Sequence, residues 1–149
     1  MQNRSRPLRA LILFSLAPAL IGAGEAPAEV TATVTKLRST KGQILACLTS
    51  DPRAFPDCER DSKARTLIVP AQEGAVLNFG PVPPGRYAIS LIHDENGNGK
   101  LDKHVMIPRE GFGFSRNAPV SFGPPSFKSA SFPMEGQDHR ETITVRYMF

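Results

Sequence analysis

Tryptophan is absent from this chain of 149 residues, and cysteine and histidine are scarce, with two and three copies. The sequence contains no His-x-x-x-His pair and no Gly-x-Ser-x-Gly turn, the usual signatures of a zinc protease and of a serine hydrolase. Cys47 and Cys58 lie too far apart for the Cys-x-x-Cys spacing of a thiol–disulfide enzyme. These absences leave no recognisable catalytic constellation.

A dense basic patch is also missing, although the formal net charge of the chain is +4. Arg4, Arg6, Arg9 and Glu25 lie in an N-terminal segment that we expect to be removed. Taking them from the 18 basic and 14 acidic residues leaves 15 against 13. Nucleic-acid binding needs a concentrated positive surface. We therefore expect no nucleic-acid partner.

The N-terminal segment has the order of a secretory signal peptide. Its three arginines precede an apolar run from Ala10 to Ala23, which is followed by Ala26-Pro27-Ala28. The run is too short to span a bilayer comfortably. The pattern predicts a signal peptide over residues 1–28 and one mature domain over residues 29–149. That domain is expected in the periplasm or outside the cell, without a membrane span.

The mature chain has no sustained helical period, and 14 prolines and 12 glycines punctuate the sequence. Strand candidates occur at 30–37, 43–49, 65–69, 75–79, 86–93, 127–134 and 140–148; several alternate apolar and polar residues, and 43–49 is mostly apolar. They predict an all-β fold, an antiparallel sandwich of about seven strands that is immunoglobulin-like or prealbumin-like. One long irregular connection, from Asp94 to Ser126, completes the prediction.

The two cysteines predict a disulfide, because an exported chain folds under oxidising conditions. Closing the loop between Cys47 and Cys58 stabilises a fold by about 2–3 kcal/mol.

The stretch after the fifth predicted strand has the spacing of a calcium loop. Asp94, Asn96 and Asn98 occupy alternate positions, with Gly99 at position six, and the predicted ligands are Asp94, Asn96, Asn98, the Lys100 carbonyl and Asp102. Position twelve is Val105 instead of the usual closing glutamate, and Glu110 is the carboxylate that can fold back to replace it. With few carboxylates, the affinity is expected at the weak, millimolar end.

A turn without a metal explains the same residues. Asn-Gly dipeptides are strong turn formers, because both residues tolerate positive φ. The sequence leaves the two alternatives open.

Phe112 and Phe114 alternate with glycines, so an extended backbone sends both rings to one side. They either fill one end of a hydrophobic core or form an aromatic platform for a ligand.

The stretch from Pro83 to Ala118 closely resembles a family of small exported bacterial proteins of unknown function (DUF2141). The resemblance rests on a His-Asp strand end, an Asn/Asp-Gly-rich turn and an Ile-Pro-x-Glu-Gly-aromatic-Gly-Phe-Ser motif. The matching positions are His93, Asp94, Asn96, Asn98, Gly99, Leu101, Asp102, Ile107, Pro108, Glu110, Gly111, Phe112, Gly113, Phe114 and Ser115. The resemblance implies export and a β-sandwich, and it implies no activity. More loosely, the layout is similar to prealbumin-like modules, several of which hold calcium.

These observations favour an exported, non-catalytic binding or structural module with calcium in the loop and an unknown protein or cell-envelope partner. The alternative is a metal-dependent periplasmic enzyme using His93, Asp94 and His104. It requires two histidines eleven positions apart to converge, and imidazole ligands would favour zinc over calcium.

Overall fold

The computed structural model describes residues 27–104 and 107–148, with the side chains of residues 103, 104 and 107 outside the description. The strands are β1 (Ala28–Thr35), β2 (Gln43–Thr49), β3 (Arg65–Pro70), β4 (Val76–Val82), β5 (Gly85–Asp94), β6 (Lys103–His104), β7 (Ile107–Pro108), β8 (Gly111–Phe114), β9 (Phe132–Met134) and β10 (His139–Thr144). A 3-10 turn covers Ser115–Asn117, and the single-turn helix α1 covers Phe127–Ala130. All but the last two residues of the predicted signal peptide lie outside the described residues. Within the described ranges, no helix is long and apolar enough to cross a membrane.

Eight of these strands form two sheets. One has the order β10-β1-β4, and the other has the order β3-β2-β5-β8, with β9 also paired to β5. The remaining two strands, β6 and β7, pair only with each other. The predicted all-β sandwich is confirmed. It departs from a wholly antiparallel arrangement in one pair, because β1 and β10 run parallel, with Val30 opposite His139 and Thr35 opposite Thr144.

The main core follows from the alternation of apolar and polar residues along the strands. In β1, Val30, Ala32 and Val34 are buried, whereas the threonines between them are half-buried. The inward residues of the other strands complete the same cluster, among them Ile44, Leu48, Leu77, Phe79, Ile89, Leu91 and Ile143. This core fixes the position of β5, and Asp94, the last residue of β5, is the first residue of the candidate site.

The predicted irregular connection from Asp94 to Ser126 is wrong in part, because it contains β6, β7, β8 and the 3-10 turn. The most important of these, β8, pairs antiparallel with the end of β5, from Ser90 opposite Phe114 to His93 opposite Gly111. Two glycines let β8 lie directly against the main core. A Cβ on Gly113 would lie 2.7 Å from Ile143 Cγ2, closer than carbon atoms can approach. The strand escaped prediction because glycine is a poor strand former, and here it is required by close packing.

A second hydrophobic cluster covers the other side of β8. Phe112 and Phe114 are buried there with Ala88, Ala118 and Ala130, and Phe55, Val120 and Phe127 pack against them. The rings of Phe55 and Phe114 meet edge to face at 5.9 Å. The irregular segments around residues 55 and 118–130 therefore act as an outer layer over the larger sheet.

The disulfide holds this outer layer at one end. Cys47 on β2 is bonded to Cys58 in the following loop, with their Cα atoms 6.5 Å apart. The Thr49 hydroxyl donates to Asp61 at 2.6 Å in the same loop. The pairing predicted from the sequence is present in the structure.

The predicted strand over residues 127–134 is only partly correct. Its first half is the turn α1, where the Ser126 hydroxyl accepts a hydrogen bond from the Ser129 N–H at 3.2 Å. The cap stabilises a helical turn, and only Phe132–Met134 continues as β9, paired with the start of β5.

Candidate functional site

The candidate site is the loop from Asp94 to Asp102, called the 94–102 loop below. It leaves the C-terminal end of β5 and leads into the β6–β7 pair. Gly99, at position six of the predicted calcium loop, has a φ of 78°, a conformation that glycine adopts without strain. This conformation fits both alternatives, the calcium loop and the metal-free Asn-Gly turn.

The Asp94 carboxylate holds this loop together by accepting hydrogen bonds from its backbone. Its side chain is fully buried, and Oδ1 accepts from the backbone N–H groups of Gly97 at 2.8 Å and Asn98 at 3.1 Å. Oδ2 accepts from the Gly99 N–H at 2.8 Å and from the Gln43 side chain at 2.9 Å. These four bonds fill the acceptor capacity of a carboxylate.

The same bonds keep Asp94 ionised. Burial opposes the charged form, but hydrogen bonds from Gln43 and from three backbone N–H groups outweigh it and lower the pKa below the ordinary value of 3.8. An ion ligated by Asp94 would have to displace one of these donors, and the Gln43 side chain is the one outside the loop. Gln43, on the neighbouring strand β2, thus contributes to a site that the sequence places on one segment.

Three predicted ligands, Asn96, Asn98 and Asp102, are joined by hydrogen bonds between their side chains. The Asn98 side-chain amide donates to both oxygens of Asp102 at 3.1 Å, and the Asn96 amide also donates to Asp102. Each asparagine oxygen accepts a backbone N–H two residues ahead, Asn96 from Asn98 at 2.9 Å and Asn98 from Lys100 at 2.8 Å. Each amide oxygen retains one acceptor position.

Glu110 closes the loop from the side of β8. Its side chain is buried, Oε1 accepts from the Glu95 N–H at 3.1 Å, and Oε2 accepts from the Asp102 N–H at 3.0 Å. Arg109 N–H also donates to the Asp102 carbonyl at 2.9 Å. Glu110 therefore joins the first and last turns of the loop through backbone N–H groups, and its role as a closing calcium ligand stays a prediction.

The connection between β1 and β2 supports the loop from outside. Arg38 forms an ion pair with Glu95, and Ser39 donates to the same carboxylate at 2.7 Å. The hydrogen bond from Arg38 lowers the pKa of Glu95, against the effect of burial. The Arg38 guanidinium also lies 4.4 Å from the centre of the Tyr147 ring. These contacts could not be predicted from the sequence, since they join segments far apart in the chain.

His93 is buried and both of its ring nitrogens are engaged. Nε2 lies 2.8 Å from the Lys41 carbonyl, and Nδ1 lies 2.7 Å from the Tyr147 hydroxyl. A carbonyl only accepts, so Nε2 carries a proton, and in the neutral ring Nδ1 accepts from Tyr147. No nitrogen of His93 is then left for a metal ion, although the enzyme alternative uses this residue. The side chain of His104, its other histidine, lies outside the described residues.

The other residues singled out in the sequence, Phe112, Phe114 and Ser115, are buried inside the fold. Phe112 and Phe114 are buried in the second cluster, so their rings do not form an exposed platform. The Ser115 hydroxyl is also buried, where it accepts from the Ile89 N–H at 2.8 Å and donates to the Ala130 carbonyl at 2.7 Å. The Ser115 hydroxyl thus links β5 to the segment before β9. Both β8 and β9 pair with β5, at successive parts of that strand.

No group of three or more His, Cys, Asp or Glu side chains is placed to hold a metal ion in the part of the chain that the structure describes. The calcium prediction uses amide and backbone oxygens for most of its ligands, and it stays a prediction.

Comparison with known proteins gives one match. No curated protein and no solved structure matches the chain. A family model matches residues 32–142, which include the second half of β1, all of β2 to β9, the 94–102 loop and most of β10. The chain therefore belongs to the bacterial family described as "Uncharacterized protein conserved in bacteria" (DUF2141).

Proposed function

We propose that the protein is an exported, non-catalytic β-sandwich module that binds calcium through the 94–102 loop. The observation that carries the proposal is the convergence of Asn96 and Asn98 on Asp102, within a turn whose sixth position is a glycine. Calcium prefers carboxylate, amide and carbonyl oxygens, and these are the groups gathered there. The N-terminal signal-peptide pattern and the disulfide support export.

In this proposal four residues ligate the ion, and Asp94 acts on it through its charge. Asn96, Asn98 and Asp102 supply side-chain oxygens on the exposed side, and Lys100 supplies its carbonyl. Asp94 keeps its hydrogen bonds to the loop backbone and adds negative charge beneath the ion. Binding requires the two asparagine amides to turn, so that oxygen instead of nitrogen faces the ion. This rearrangement and the low number of carboxylates favour millimolar affinity.

The non-catalytic part of the proposal rests on the surroundings of two residues. His93 uses both ring nitrogens within the fold, and Ser115 has its hydroxyl bonded to backbone groups. A general base or a nucleophile needs an accessible atom next to the substrate.

Thermal unfolding in calcium tests the proposal. Binding to the folded state at ten times the dissociation constant adds about 1.4 kcal/mol, which raises the melting temperature by several degrees. Asp102→Asn should remove most of this shift, because it removes the carboxylate on which Asn96 and Asn98 converge. Asp94→Ala is a poor variant for this test, since it leaves three backbone N–H groups without an acceptor whether or not calcium binds.

Glu135→Gln is the matched control, because it removes one exposed carboxylate at the opposite end of β5. Glu135 follows β9, which pairs with Gly85, whereas the loop begins at Asp94. Calcium should still raise the melting temperature of this variant. The absence of a shift in the wild type at about 10 mM calcium contradicts the proposal, because that concentration exceeds the weakest affinity expected. A larger shift with zinc than with calcium would favour the enzyme alternative.

A further inference from the structure

The 94–102 loop contains two Asn-Gly pairs, Asn96-Gly97 and Asn98-Gly99, both exposed. In such a pair the backbone nitrogen of the glycine can attack the side-chain carbonyl carbon of the asparagine. Glycine has no Cβ to obstruct this attack. We propose that Asn96 and Asn98 are modification sites, at which spontaneous deamidation converts the amides of the loop into carboxylates.

The reaction needs only water. The glycine nitrogen loses its proton and bonds to Asn Cγ, the bond from Cγ to Nδ2 breaks, and ammonia leaves. Water then opens the resulting cyclic imide at either carbonyl, giving aspartate or isoaspartate. No electrons are transferred, and the net change is the exchange of NH₂ for an ionised oxygen.

Hydrogen bonds of the loop engage both reacting groups, the glycine nitrogens and the asparagine carbonyls. The attacking nitrogens of Gly97 and Gly99 both direct their protons at the Asp94 carboxylate, at 2.8 Å. This carboxylate faces the proton that has to leave.

The asparagine carbonyls are also polarised. The oxygen of Asn96 accepts from the Asn98 N–H at 2.9 Å, and the oxygen of Asn98 accepts from the Lys100 N–H at 2.8 Å. A donor in this position stabilises negative charge that develops on the oxygen during attack. Both pairs therefore combine an unhindered nucleophile, a facing carboxylate and a polarised carbonyl.

The consequence for calcium rests on the function proposed above. Loop positions three and five would change from amide to carboxylate, beside Asp94 and Asp102. Because calcium affinity rises with the number of ligand charges, the aspartate product should bind calcium about tenfold more tightly or better. Without an ion, the added charges repel one another around Asp102.

Asn78 is a control within the same molecule. It is exposed, and its side-chain oxygen accepts the Gly80 N–H at 2.8 Å, the same type of bond that Asn96 and Asn98 make. It is followed by Phe79, whose side chain obstructs the attack. Trypsin cleaves after Arg65, Arg86 and Lys100, so residues 66–86 and residues 87–100 form separate peptides.

The test is incubation of the purified protein without calcium at mildly alkaline pH, followed by tryptic mass spectrometry. We expect peptide 87–100 to gain about 1 Da per converted asparagine, roughly tenfold faster than peptide 66–86. Fragmentation should assign the change to Asn96 and Asn98. An unchanged mass, or equal rates in the two peptides, overturns the modification proposal.

The calcium consequence is measured on the Asn96→Asp/Asn98→Asp double variant, which carries the aspartate product uniformly. A dissociation constant about tenfold below that of the wild type supports it, and an equal or higher constant overturns it. The calcium proposal and the deamidation proposal can be refuted independently of each other. An incorrect calcium function appears as the absence of binding by the wild type, whereas incorrect deamidation appears as an unchanged mass.

Discussion

Replacing Asp94 by asparagine tests whether this buried carboxylate holds the loop together. Asparagine keeps one oxygen for the N–H groups of Gly97 and Asn98, but it places an NH₂ group where Oδ2 accepts from Gly99 and Gln43. Leaving a buried donor without an acceptor costs about 1–3 kcal/mol. The remaining bonds lose their charge and about half their strength. We expect the free energy of unfolding to fall by about 2–4 kcal/mol at neutral pH.

Thermal unfolding without calcium, followed by circular dichroism, measures this effect. A loss of this size lowers the melting temperature of such a domain by roughly 10 °C. Asp102→Asn is the matched control, with the same chemical change in the same loop. In the part of the chain that the structure describes, its partly exposed carboxylate accepts from the side chains of Asn96 and Asn98, so we expect a loss of less than about 1 kcal/mol.

The effect of Asp94→Asn should depend on pH in a defined direction. The pKa of Asp94 is lower in the folded state than its ordinary value of 3.8. Ionised Asp94 therefore stabilises the fold above the unfolded pKa, and this contribution is lost as the pH falls through the folded pKa. The difference between wild type and variant should be complete at neutral pH and narrow below about pH 3.8. Equal destabilisation by Asp94→Asn and Asp102→Asn, or a difference unaffected by acid, contradicts this account of the loop.

Three further predictions concern the fold and its compartment. Gly113→Ala should destabilise by about 1–3 kcal/mol in chemical denaturation, because its Cβ would lie 2.7 Å from Ile143 Cγ2, and wild-type stability would refute the tight packing of β8. Replacing Cys47 and Cys58 together by serine should lower the free energy of unfolding by about 2–3 kcal/mol, and no change in denaturant midpoint would contradict the stabilising role of the disulfide. The mature protein should begin between residues 24 and 29 and occur in a periplasmic or culture fraction, and mass spectrometry that finds an intact N-terminus in the soluble cytoplasmic fraction would refute export.

The strands with a clear local pattern of apolar residues could be predicted from the sequence, and the strands that depend on distant contacts could not. Gln43–Thr49 was predicted with the bounds that the structure has, because apolar residues dominate it and turn residues flank it. Gly111–Phe114 was assigned to a loop, since its pattern acquires meaning only from Ile143 and Tyr147 on the opposite side. Local propensity does not record that kind of packing.

The candidate site was predicted in the same partial way. Spacing alone brought together Asn96, Asn98 and Asp102, which lie within one turn. The spacing predicted Asp94 as one more ligand. In the structure its carboxylate accepts hydrogen bonds from the loop backbone and from Gln43. The sequence could not reveal this role, because it depends on burial beneath the loop.

Two-dimensional amide NMR during a calcium titration tests the central claim most directly, since it identifies the groups that respond. The account predicts progressive shifts in the backbone amides of residues 96–102. It also predicts large shifts in the side-chain NH₂ signals of Asn96 and Asn98, which must leave Asp102 for their oxygens to face the ion. The side-chain NH₂ signals of Asn117, bonded to the Thr142 carbonyl on β10, should remain unchanged. Unchanged signals for Asn96 and Asn98 at saturating calcium, or shifts confined to other parts of the domain, would contradict calcium binding by the 94–102 loop.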